Sequence, residues 1–362
     1  MIFDAGLAGC RLKGLLIMTT QTTRKGTARI SRLVTASLLA LGANTLTAQA
    51  EEYVLSSWLP PAHPLVTGTI QPWADQVTEL TEGRVTVRIL PRPLGPPPAH
   101  FDMAADGIAD ITYGLHSFTT DDRFQRSRIG QFSFLGDDAA KTSVAYWDVY
   151  GDRLDAAAEH AGTQLLGLWV HGPGMFHNSL RQIETPEDFQ GLKVRVPGGY
   201  VAELAEELGV TTQFMGPGDV YEKMSTGVID GVTFPAEALK AFNLSQHVKY
   251  AMEVPGGLYN TSWFMVMNED RWNDLSEEDR AAISSVSGAM LAKVAGQVWN
   301  AADTAGLEDA TAKGVTFYAA PAPVLNRVQE IAAAKEAAWA EAVAAQGFDG
   351  AAALTALREQ AK

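Results

Sequence analysis

Short apolar runs alternate along the chain with segments of helical periodicity. Residues 53–58 read as a β-strand, and Pro60, Pro61 and Pro64 end it in a loop. Ile70, Trp73, Ala74, Val77 and Leu80 then recur at helical spacing, predicting a helix over 70–81 that Gly83 stops. A strand at 85–90, a proline-rich loop through Pro98, a helix near 99–106 and an apolar strand at 108–113 follow. This alternation predicts an α/β lobe built on a mostly parallel sheet. A second set begins with the strand 164–170, which runs into His171-Gly172-Pro173-Gly174. Thr185 and Pro186 have the character of a helix N-cap and first position, and a strand follows at 192–196. Helices at 200–208 and 219–225 end at Gly209 and Gly227, before a strand at 228–234. From Ser276 the helical pattern runs without proline to Thr311, about 50 Å at 1.5 Å per residue, enough to span two lobes. A strand at 315–318 and an amphipathic helix at 323–345 complete the chain.

At 362 residues the chain exceeds the size at which one core keeps growing, so two lobes with a cleft between them are expected. With no fixed-period repeat and no low-complexity linker, the lobes are interwoven. The expected division places residues 51–172 and 262–303 in the first lobe and 173–261 with 304–362 in the second. Residues 1–17 read as a spurious upstream extension. From Met18 a basic stretch (Arg24, Lys25, Arg29, Arg32), an uncharged run and Ala48-Gln49-Ala50 together predict a secretory signal peptide over 18–50. The single cysteine, Cys10, falls ahead of it, so the mature chain has no thiol for disulfides, metal sites or nucleophiles. Removing residues 1–50 takes away six basic residues and one acid, so the formal charge moves from −14 to −19. Such a surface repels nucleic acid and anionic lipid, and it repels anionic solutes over long range. An anionic ligand would therefore need a local, buried positive group.

The common catalytic signatures are missing: no H-E-x-x-H, no G-x-S-x-G, no Gly-rich phosphate loop and no C-x-x-C. The seven histidines are scattered, and His171 and His177 stand six apart across a Pro/Gly loop, which is not a helical metal-ligand spacing. No metal and no cofactor is expected. The segment GLKVRVPGG at 191–199 is different. Strand alternation delivers Lys193 and Arg195 to one face and Leu192, Val194 and Val196 to the other, just before a turn that opens a helix. An arginine at the end of a parallel strand suits a carboxylate, because its planar fork donates two parallel hydrogen bonds. A surface arginine paired with an acid fits the spacing equally well.

The stretch 191–239, GLKVRVPGGY and then MGPGDVYEKMSTGVIDGVTFPAEAL, resembles the DctP-like solute-binding proteins of tripartite ATP-independent periplasmic (TRAP) transporters. SSWLPPAHP at 56–64, DGIADITYGL at 106–115 and PGGLYNTSWFMVMN at 255–268 resemble that family too. The resemblance implies a type II-like two-lobed periplasmic-binding-protein fold with hinge crossovers. It also implies a protein that passes a small organic acid to small and large membrane subunits, and a monomer is expected. Arg195 matches the family's carboxylate clamp. Met175, Phe176 and His177 stand where many members place a second arginine, and Phe234 where sialic-acid binders carry asparagine. Both departures favour a monocarboxylate with an apolar or aromatic body. Candidate pocket walls are Trp58, Tyr113, His116, Phe118, His171, Met175, Phe234 and Trp263, with Tyr113, His116 and His171 offering polar contacts. Two other readings stand beside this one: a binding protein for another transporter or a chemoreceptor, and a periplasmic lyase or hydrolase using His171 or His177 as base.

Overall fold

The computed structural model describes residues 50–362, so the upstream extension and almost all of the expected signal peptide lie outside the described residues. The chain forms strands β1 (Glu51–Ser56), β2 (Val85–Ile89), β3 (Ile111–Leu115), β4 (Thr163–Val170) and β5 (Met175–Asn178). It continues through β6 (Lys193–Val196), β7 (Thr211–Phe214), β8 (Gly231–Phe234), β9 (Tyr250–Glu253), β10 (Ser262–Asn268) and β11 (Thr316–Ala319). They make two sheets, ordered β2-β1-β3-β10-β4 and β11-β9-β5-β8-β6-β7, the two-lobed α/β architecture that the resemblance implied.

Neither sheet is wholly parallel, and the exceptions mark where the chain passes from one sheet to the other. β10 runs antiparallel to both β3 and β4, and β5 antiparallel to both β8 and β9, while the remaining pairs are parallel. Both reversed strands enter directly from the other sheet. The parallel strands end at the cleft, so a strand that starts there must run the opposite way. The two crossing segments lie side by side: Gly174 N donates to Tyr259 O at 3.0 Å, and Leu258 N donates to Gly174 O at 3.0 Å. A Cβ on Gly174 would sit 2.6 Å from Tyr259 O, so only glycine permits this approach.

Two expected elements are corrected. The helix anticipated from Ser276 to Thr311 is two helices, Glu277–Ser285 and Ala289–Ala312. Gly288 breaks them, with a φ of 61° and its N–H bonded to Leu166 O at 2.7 Å. The second of these is about 36 Å long and still braces both halves. Gly296 packs on Ala139 and Ala140, and Gly306 on Ala236 and Glu237, where added Cβ atoms would come within 2.4 and 2.2 Å of carbonyl oxygens. The third strand starts at Ile111 rather than 108, because Ile108 N–H closes the preceding helix on Met103 O and leaves the Ile108 side chain exposed. The final helix, Gly350–Gln360, packs on Ala139–Leu154, and Arg358 Nη2 donates to Ser133 O at 2.9 Å. The C-terminal segment, expected with the second lobe, therefore also reaches the helix between β3 and β4 of the first sheet.

Among the described residues no helix is long and apolar enough to cross a membrane.

Candidate functional site

Arg195 sits near the end of β6, between β7 and β8 and opposite Val232 and Gln213. Pleating sends its neighbours Val194 and Val196 into the core and leaves Lys193, at the strand's start, exposed. The Arg195 side chain is only 2% exposed, yet no carboxylate among the described residues pairs with it. Its Nε donates to Met215 O at 3.0 Å and its Nη1 to Thr233 O at 3.1 Å, and the guanidinium carbon lies 4.1 Å from the centre of the Phe234 ring. Backbone carbonyls and a π-face hold the group in place without neutralising it. Burial pulls its pKa down to about 9, and it remains cationic at neutral pH.

The guanidinium lines a cavity at the cleft ends of the strands, where α/β folds hold their ligands. Aromatic rings from the first sheet form the facing wall. Trp58, just after β1, stacks on Trp263 of β10 at 5.4 Å and 12°, and meets Phe118 edge-on at 5.6 Å. The Trp58 indole is held by donation of Nε1 to Tyr113 O at 2.9 Å. Trp299, on the bracing helix, closes one side at 5.7 Å from Trp263.

The crossing segments supply the polar wall. His171 turns its Nδ1 to Gly172 O, so its Nε2 is the unprotonated nitrogen and points an acceptor lone pair elsewhere. Burial drives its pKa down to about 4, with the charge of Arg195 adding to the effect. Tyr259 lies beside it at 5.7 Å, and its buried hydroxyl makes no aligned hydrogen bond to the described residues. Burial raises the Tyr259 pKa, partly opposed by Arg195. On the remaining side His63, from the loop after β1, reaches Glu237, the first residue of the helix Glu237–Ala241. Nε2 to Oε1 is 2.9 Å with both side chains 2% exposed, and Leu65 N–H donates to His63 Nδ1 at 3.2 Å.

The structure thus places Trp58, Phe118, His171, Arg195, Phe234 and Trp263 around one cavity and leaves three expected residues outside its wall. The Tyr113 hydroxyl bonds Ser57 Oγ beneath Trp58. His116 is locked in an internal pair, its Nε2 3.0 Å from His160 Nε2 and its Nδ1 3.0 Å from Ser262 Oγ. Met175 faces a separate groove with Pro173 and Leu307. His177 contacts Phe234 O through Nε2 at 3.0 Å, away from the cavity. Tyr259, Trp299, His63 and Glu237 were missed. Only Pro235-Ala236-Glu237, a carboxylate three residues beyond a strand end, carried a local signal. Among the described residues no group of three or more His, Cys, Asp or Glu could hold a metal ion.

Comparison with known proteins agrees with this architecture. A crystallised TRAP periplasmic solute-binding protein from Bordetella bronchiseptica, with bound (R)- and (S)-mandelate, shares 38% identity at a TM-score of 0.83, covering 86% of this chain and 98% of that one. A TRAP solute-binding protein from Rhodoferax ferrireducens, in complex with copurified benzoate, shares 30% identity at a TM-score of 0.79 over the same shares. A protein of Comamonas testosteroni described as the outer membrane transporter protein TsaT is 32% identical over 334 residues, 91% of this chain and 97% of its own length. The model of the bacterial extracellular solute-binding proteins, family 7 (DctP), matches residues 55–344. With that span taking in both sheets and every wall of the cavity, the chain belongs to the DctP family of solute-binding proteins.

Proposed function

We propose that this protein is the periplasmic receptor of a TRAP transporter and captures a small aromatic monocarboxylate for delivery to the membrane subunits. The observation that carries this reading is Arg195: a buried cation with no counter-ion among the described residues, facing a wall of tryptophan and phenylalanine. A buried charge left unpaired is costly, and a ligand carboxylate would supply the missing partner through a bidentate pair. The facing rings suit an apolar, flat body. That two similar proteins hold mandelate and benzoate supports the same ligand class here. Arg195 comes from one sheet and Trp58 and Trp263 from the other, so a bound acid would be gripped by both halves and favour their closure about the paired crossing segments. One chain supplies every wall of the cavity, which fits a protein working as a monomer. Its family is one of transport proteins, and we read it as a binder that releases its ligand unchanged.

Truncating one side of a buried charge pair costs about 2–5 kcal/mol, roughly a 30-fold to several-thousand-fold loss of affinity. Calorimetric titration of benzoate and mandelate into Arg195→Ala is expected to show a loss in that range with circular dichroism preserved. Unchanged affinity would remove Arg195 from the site and this reading with it.

A further inference from the structure

The cavity contains a second charged group that the capture of a simple carboxylate does not use. Glu237 lines the wall, is 2% exposed, and forms no ion pair with Arg195. Its side chain pairs with His63. Leu65 N–H occupies Nδ1 of that ring, so Nε2 carries the proton. Nε2 and Oε1 are 2.9 Å apart, so His63 engages one oxygen of the carboxylate, while Oε2 accepts no hydrogen bond among the described residues. A buried carboxylate oxygen in this condition is a strong acceptor awaiting a hydrogen-bond donor. Trp299 lies 6.0 Å and Phe242 5.5 Å from the His63 ring, and the Asp303 carboxylate accepts from Glu237 N at 2.8 Å.

Resting on the aromatic-monocarboxylate reading, we propose that Glu237 is a specificity-determining residue that selects acids carrying a hydroxyl or amino donor remote from the carboxylate, and rejects dicarboxylates. Arg195 and Glu237 then act as opposite poles of one site. The guanidinium takes the ligand's anionic end, and Glu237 accepts a hydrogen bond from the donor substituent. A second carboxylate at that end would meet Glu237 as a like charge in a poorly solvated space. An unsubstituted ring would leave Oε2 unpaired. His63 is a positioning residue, since it holds the Glu237 carboxylate from the other half of the molecule.

The test is isothermal titration of the full mature chain with matched series: benzoate, 3- and 4-hydroxybenzoate, isophthalate and terephthalate. The wild-type protein is expected to bind one of the hydroxybenzoates about ten- to a hundredfold more tightly than benzoate, with no heat from either dicarboxylate. In Glu237→Gln that preference should shrink several-fold, by loss on the hydroxylated acid, and a dicarboxylate should become detectable. A wild-type protein that binds benzoate as tightly as both hydroxybenzoates overturns the proposal, even if the variant cannot be purified folded. So does a Glu237→Gln protein that weakens every acid equally, which would make the pair a simple latch between the halves. Failure of every monocarboxylate to bind the wild-type chain would instead overturn the reading beneath it.

Discussion

Arg126 and Arg195 are both buried, 7% and 2% exposed, and both rest a guanidinium on a phenyl ring, 4.5 Å from Phe348 and 4.1 Å from Phe234. Their counter-ions separate them. Arg126 Nε lies 3.1 Å from Glu159 Oε1, and that carboxylate also accepts from Arg126 N, Ser127 N and the Tyr150 hydroxyl. The Arg126 charge is answered by Glu159, so the cluster fixes the fold. Among the described residues Arg195 is held by carbonyls and the Phe234 ring, and the missing counter-charge faces a cavity. A buried cation becomes a binding group when the fold withholds its partner.

Acid gives the broadest test of this contrast. His116, His160, His171 and His177 are buried and neutral, and burial holds the last three near a pKa of about 4. Between the unfolded value of about 6.5 and that folded value the unfolded chain binds more protons, so stability falls as pH drops through the window. Urea titrations of the ligand-free protein from pH 7 to 4 should show a loss on the order of several kcal/mol. Ligand then distinguishes the two regions. A carboxylate on Arg195 offsets the charge acting on His171, so NMR should show the His171 pKa rise on binding. His160, near an arginine already neutralised by Glu159, should not move. Equal shifts at both would break the comparison.

Substitution should divide the two arginines next. Arg126→Ala strands the Glu159 carboxylate and should cost about 3–5 kcal/mol in denaturant unfolding. Arg195→Ala removes an unpaired buried charge, and the ligand-free protein should unfold at an equal or higher urea midpoint, for its effect lies in binding. The smallest effect is expected two residues away. Lys193 shares the strand and its alternation but is exposed, so Lys193→Ala should stay within about 0.5 kcal/mol in stability and leave carboxylate titrations within a few-fold.

Much of the architecture was legible because it rests on local rules. Proline, glycine and periodicity placed most of the strands and helices named from the sequence within a few residues, and strand alternation singled out Arg195. The reading of 276–311 as one helix rested on a helical pattern free of proline, but Gly288, through its positive φ and its bond to Leu166 O of β4, breaks it. Tyr113 and His116 were chosen because strand ends in α/β folds lie near ligands, and Met175 because it stands where many family members place a second arginine. Nothing local revealed that Ser57, His160 and a separate groove would claim them.

The sequence by itself determined the alternating α/β elements, the strand-borne guanidinium and the aromatic residues that follow the strand ends, because each follows from side-chain chemistry and the period of its own segment. Only the tertiary structure decided which of those residues meet. β10 inserts between β3 and β4 from far down the chain, and His63 finds Glu237 across the cleft. Such contacts are set by packing between distant segments, which no local period encodes. Arg195 acquired its role the same way, when the folded surroundings gave it a cavity and no acid.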